Sequence, residues 1–228
     1  MLLIRDRIKN IKILRSLAIS YRNFISNYSY SRGKGNRIFK KGVVVNSKIQ
    51  ISGNYNTIEL ENDSVLVNAN ILISGSNNYI KVKRNAYLEV TQLHIEDNNC
   101  ELVIGERTFI GASHLAVTEN NSRLEIGSDC MISSHVQIRT GDSHSIFNME
   151  GEKINQARNI IISNKVWLGE GCKILKGVFL GEQTVVSTGS IVTKTFTGNM
   201  LVGGIPAKKL KEGIYWTPER EKHKFDSL

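Results

Sequence analysis

Residues 49–136 divide, without a gap, into four blocks of 22 residues whose aliphatic positions align, and this recurrence constrains the fold more than any other property of the chain. One column reads Ile49, Ile71, Leu93, Leu115, and a second Ile51, Ile73, Ile95, Val117. The third is Ile58, Ile80, Leu102, Leu124, the fourth Leu60, Val82, Ile104, Ile126, and the fifth Leu66, Leu88, Ile110, Ile132. Between the second and third columns lies a polar turn (SGNYNT, SGSNNY, EDNNCE, TENNSR) rich in the Asn and Gly that accept left-handed backbone conformations. Each block therefore turns at the same corner. Small residues, Ser64, Ala86, Thr108 and Cys130, stand four places after the fourth column, as a tight inward position requires.

After residue 160 the period tightens to six: Ile162, Leu168, Ile174, Leu180, Val186 and Val192 recur without a slip. Four places after each come Val166, Cys172, Val178, Thr184, Ser190 and Phe196, mostly small or β-branched. Three sixes make a coil of 18 residues, so the 22-residue blocks read as the same coil with four extra residues at one corner. A short strand cannot bury its aliphatic face alone, whereas stacked coils share one core and pair their backbones at about 4.8 Å per step. An amphipathic helix has a period of about 3.6 residues, which neither recurrence matches. The reading is an all-β fold of stacked parallel coils.

Composition fits one substantial domain: 228 residues, of which 40% are hydrophobic and 22% charged. No stretch approaches the roughly 18 apolar residues of a spanning helix, and the first twenty residues lack the apolar core of a secretory signal, so a cytoplasmic location is expected. The cysteines Cys100, Cys130 and Cys172 form no CxxC pair and read as reduced core residues. Charge is uneven. The formal charge is +9, but residues 1–41 hold eleven Lys and Arg against one Asp, a net +10, which leaves the rest near neutral. This segment reads as an amphipathic helix over residues 1–37, with Ile4, Ile8 and Ile11 joined by Leu14 or Ile25 on its apolar stripe. Its basic face suits an anionic polymer or the inner face of a membrane, and no nucleic acid is expected as a partner.

The columns stop between Ile138 and Ile162, where the chain reads RTGDSHSIFNMEGEKINQARNII. A long polar excursion on a rigid repeat is a usual place for function. The motifs IRTGDSHSIF, VWLGEGCKILKGVFLGEQTVVSTGSIVTK and GGIPAKKL cover roughly residues 137–211. In order and spacing they resemble the hexapeptide-repeat acyltransferases of left-handed parallel β-helix fold. The DSHSI form is most similar to the O-acetyltransferases of bacterial capsule and surface polysaccharides, including those of sialic acid polymers. The resemblance implies a left-handed coil, a homotrimer with active sites between subunits, acetyl-CoA as co-substrate, a carbohydrate acceptor and no metal. With the basic segment read from its charge and apolar stripe, the chain divides into a helical segment 1–37, a coil domain 38–206 with an active-site loop 139–160, and a tail 207–228.

By family position His144 is the general base that removes a proton from a sugar hydroxyl attacking the thioester. An imidazole titrates near neutrality and suits the task. Asp142 or a backbone carbonyl would hold its second ring nitrogen, with Ser143 and Arg139 orienting the site or binding acceptor. Trp167 would orient the thioester through its ring face or donate its indole N–H to the oxyanion, a backbone N–H of the coil being the rival donor. Gly169, Glu170, Thr188 and Gly189 would pair with the pantetheine amides, while Thr193, Lys194 and Lys208 would meet the adenosine phosphates. GGIP at 203–206 ends the coil.

Two other readings use different residues. His94, His114 and His135 recur at nearly one coil's spacing, as in zinc lyases of this fold, although they occupy three different positions of the 22-residue frame. A non-catalytic scaffold for polysaccharide assembly would act through the basic N-terminus. His114 and His135 read best as flanking a corner near the active cleft, within reach of the acceptor.

Overall fold

The computed structural model describes residues 27–219. Each circuit of the chain lays down three short strands, and each strand pairs with its counterpart in the next circuit. Sheets of eight, seven and nine strands result, and they enclose a three-sided coil of about eight circuits. Face A runs from Tyr28–Arg32 to Ile191–Val192, face B from Arg37–Lys40 to Phe179–Leu180, and face C from Val43–Val45 to Met200–Gly204. A final strand, Ala207–Glu212, turns back antiparallel on Met200–Gly204 and ends face C as a hairpin. That hairpin stands where a plain tail was expected.

The aliphatic columns are the strand registers themselves. Ile49, Ile71, Leu93 and Leu115 are partners on face A, Ile58, Ile80, Leu102 and Leu124 on face B, and Leu66, Leu88, Ile110 and Ile132 on face C. All are buried in one continuous core. Burying such a side chain contributes about 1.5–3 kcal/mol, and outward positions alternate with inward ones as a pleated strand requires. Beyond the excursion the offset becomes 18, pairing Ile162 with Leu180, Leu168 with Val186 and Ile174 with Val192. The last circuit is tighter still, since Leu180 bridges Phe196 and Val186 pairs with Val202.

The extra residues of the larger circuits are not a bulge at one corner. They lengthen the strands on both sides of it, so faces A and B each carry two inward aliphatics per circuit where the smaller circuits carry one. At this corner, between faces A and B, Tyr55, Asn77, Asn99 and Asn121 all have φ of 57–64°. Asn56 and Asn78 turn inward and are buried. A Cβ on Gly75 would lie 1.8 Å from the Asp97 carbonyl oxygen, so the chain passes too close there for any side chain.

Residues 1–26 of the expected N-terminal helix lie outside the described residues. Within its span, Tyr28–Arg32 form a strand paired with Lys48–Ser52. The stack leaves the edge of Lys48–Ser52 open, and a further strand satisfies those N–H and C=O groups where a helix cannot. Cys100, Cys130 and Cys172 are free and buried, and burial pushes the Cys130 thiol up to about 11. Among the described residues no helix is long and apolar enough to cross a membrane.

Candidate active site

The excursion leaves face A after Gln137–Arg139 and re-enters face B at Ile160–Ile162, so it projects from the A–B corner. It is a small hairpin: Phe147 bridges Lys153, and the Ile154 N–H donates to the Ile146 carbonyl at 2.8 Å. Two lysines tie it down through three contacts. Lys153 reaches Glu119 on the circuit below at 2.6 Å, and Lys176 on the circuit above reaches Asp142 at 2.6 Å and the Asn155 carbonyl at 2.8 Å.

Asn155 is the hub. Buried at 7% exposure, it accepts from the Ile146 N–H at 2.7 Å and donates to the His144 carbonyl at 2.8 Å and to Asp142 at 2.9 Å. A buried amide with every partner satisfied costs little and fixes the backbone around it. His144 is therefore held by its own main chain, with its side chain exposed. Asp142, expected with a backbone carbonyl as the alternative to hold the second ring nitrogen of His144, here accepts from Lys176 and Asn155 through Oδ2 and makes no hydrogen bond to the imidazole. The Lys176 ammonium and then the Asn155 amide hold the Asp142 carboxyl below the usual carboxylate range, although burial opposes this. Arg139 donates to Ser143 Oγ at 2.5 Å, while its Nε is buried without a partner.

Lys176→Met should lower turnover by about tenfold through loss of alignment, with little change in Tm, and should quicken proteolytic cleavage within 142–155. Because the Asp142 pKa is depressed in the fold, the tether is present at neutral pH and is lost as pH falls through that depressed value. An acid-active protease should then cut the wild-type loop as fast as the variant. Equal cleavage of the two proteins at neutral pH would refute the tether.

Trp167 lies on the outer side of face C, between Met131 and Val185. Its indole N–H is buried without a hydrogen-bond partner, and its ring packs against Trp216 with centroids 5.8 Å apart. Trp216 is held by a backbone N–H to the Gln183 side chain at 3.0 Å and by its indole N–H to the Lys165 carbonyl at 2.5 Å. In a three-sided coil face C is opposite the A–B corner, so one chain does not bring His144 and Trp167 together.

The residues expected to bind the donor divide into two groups. Gly169, Glu170, Thr188 and Gly189 meet at the C–A corner, where the Gly189 N–H donates to the Glu170 carbonyl at 2.8 Å. A Cβ on Gly169 would lie 2.7 Å from the Thr188 nitrogen. Lys208 joins them from the terminal hairpin, opposite Gly203. Thr193 and Lys194 follow Ile191–Val192 to the far edge of face A, and Lys194 lies over the Phe196 ring at 5.7 Å.

The three histidines do not converge. His94 and His114 stack on face A with centroids 6.4 Å apart, whereas His135 sits at the C–A corner with Nδ1 3.2 Å from Glu170. Among the described residues no group of three or more His, Cys, Asp or Glu side chains is arranged to hold a metal ion. Asn155, Lys176 and Trp216 are the site residues that sequence reasoning missed. An Asn in a polar loop and a Lys on a coil carry no signal at that level.

A parallel coil interrupted by one anchored, histidine-bearing loop defines a hexapeptide-repeat acyltransferase. No family model matches the chain. The solved structure of the polySia specific acetyltransferase NeuO is 32% identical with a TM-score of 0.79, covering 88% of this chain and 93% of that one. The polysialic acid O-acetyltransferase OatWY is 29% identical with a TM-score of 0.80, covering 87% and 96%. By sequence, the polysialic acid O-acetyltransferase of Escherichia coli O1:K1 / APEC is 39% identical over 89 residues, 39% of this chain and 29% of that protein. The alignment with this curated relative thus spans less than a third of its length. The chain belongs to the hexapeptide-repeat acyltransferase family that includes these polysialic acid O-acetyltransferases.

Proposed function

We propose that the protein transfers an acetyl group from acetyl-CoA to a hydroxyl of an acidic bacterial surface polysaccharide or its sugar precursor. The observation that carries this reading is the likeness, over almost the whole of both chains, to the polySia specific acetyltransferase NeuO. His144 takes the proton of the acceptor hydroxyl as its oxygen attacks the acetyl carbonyl. The C–S bond then breaks, and the imidazolium returns the proton to the leaving thiolate. The unpartnered indole N–H of Trp167 is a donor for the oxyanion formed on the way. Gly169, Glu170, Thr188 and Gly189 at the C–A corner would line the pantetheine, and Lys208 would face the phosphates.

The working unit is a trimer with sites between subunits, as His144 and Trp167 occupy opposite sides of one chain. Two apolar features support association. The loop tip exposes Phe147 at 59% and Met149 at 98%. Face C carries an outward ladder of Val65, Tyr87, Phe109 and Met131. Such surfaces are costly to leave in water.

The test is thiol release from acetyl-CoA in the presence of acidic and neutral polysaccharides. Turnover should depend on an acidic polymer. Release that is the same with and without every polymer would overturn the reading.

A further inference from the structure

A cleft of about 330 Å³ opens at the C–A corner, lined by Val90, Gln92, Ser113, His114, His135 and Gln137 among others. It lies one circuit below the group of Gly169, Glu170, Thr188 and Gly189. The Gly171 N–H donates to the Ser134 carbonyl at 3.0 Å, and His135 meets Glu170 across the same step. Gln92, His114 and Gln137 are register partners on three successive circuits, so their side chains form an amide–imidazole–amide ladder on the outside of face A. The reaction given to His144 and Trp167 uses none of them.

We infer that this cleft is an acceptor subsite for one carboxylate-bearing sugar unit, with Gln92 and Gln137 bound to its hydroxyls and His114 to its carboxylate. The inference rests on the transferase reading and names where its acceptor is held.

Each glutamine amide offers both a donor and an acceptor, the pairing that adjacent sugar hydroxyls match, while Val90 gives the C–H face of the ring an apolar wall. The volume is near the lower end of ordinary ligand pockets, about 300–1,000 Å³, which suits a single sugar unit. The surroundings favour an anion. His114 is stacked on His94, and the next circuit along the same face carries Arg139, whose Nε has no partner. Of the carboxylates nearby, Glu170 is paired with His135 at the edge of the cleft and Asp142 with Lys176. Burial, then Arg139 and His94, hold the His114 imidazole below its ordinary value, so at neutral pH it is a neutral N–H donor, and an anion bound beside it faces the Arg139 charge.

The experiment is steady-state kinetics of the full chain with polysialic acid and with its carboxyl-reduced form. Wild type is compared with His114→Ala, the shape-conserving His114→Gln, and Gln137→Ala, each checked for an unchanged Tm. The KM for polysialic acid should rise about tenfold or more in both alanine variants, with the KM for acetyl-CoA unchanged. His114→Gln should restore part of the loss, and the carboxyl-reduced polymer should not distinguish wild type from His114→Ala. An unchanged KM for polysialic acid in both alanine variants, with wild type active, would overturn the subsite and leave the transferase standing. If wild type shows no polymer-dependent turnover, the transferase reading fails. The subsite then stands or falls on titration of polysialic acid: weaker binding by His114→Ala supports it, and equal binding overturns it.

Discussion

Replacing His144 with alanine is expected to lower polymer-dependent thiol release from acetyl-CoA by about a hundredfold or more, without lowering Tm. A sugar hydroxyl is too weak an acid to attack a thioester unless a base accepts its proton during the attack, and His144 is the imidazole that the anchored loop presents to solvent. Structure around it should persist, because the loop is held through the His144 carbonyl, the Asp142 carboxylate and the Asn155 amide, none of which the substitution removes. Circular dichroism and Tm should therefore match wild type while kcat collapses. Comparable turnover in the two proteins would remove His144 from the mechanism.

Asn78→Leu is expected to destabilise the coil by about 2–6 kcal/mol, two orphaned groups at about 1–3 kcal/mol each. Asn78 is buried at 1% exposure in the A–B corner. Its Oδ1 accepts from the Cys100 N–H at 2.8 Å, and its Nδ2 donates to the Asp97 carbonyl at 2.9 Å. Its own N–H is satisfied in turn by Asn56 Oδ1 at 3.0 Å. One side chain thus joins successive circuits at the two groups, the Cys100 N–H and the Asp97 carbonyl, that find no backbone partner at this corner. Leucine has the same branching and slightly more bulk, so it removes both hydrogen bonds without leaving a cavity. Urea unfolding reads it as a lower midpoint. A change under about 1 kcal/mol would mean that water replaces the amide at this corner.

The aliphatic columns were legible because period alone identifies them. A circuit of constant length brings Ile49 over Ile71 and Leu93 whatever the rest of the chain does, and the register follows. The break at 139–160 was legible for the same reason, and the DSHSI motif within it located His144. Reading the first strand as part of a helix failed because Tyr28–Arg32 has no inward aliphatics. All five of its residues are exposed, and its place is set by the open edge it covers.

Residue type at fixed spacing is enough to specify the stacked parallel coil, its corners and the loop that bears the histidine. How that loop is held and what shares a corner depend on contacts made when the coil closes. Lys176 meets Asp142 across 34 positions, and Trp216 meets Lys165 across 51. Closure likewise set His144 and Trp167 on opposite sides of one chain and placed the cleft at the C–A corner. A repeat fixes which backbones stack. Which side chains meet depends on how many residues lie between circuits and which way each corner turns, and those distances exist only once the coil has closed.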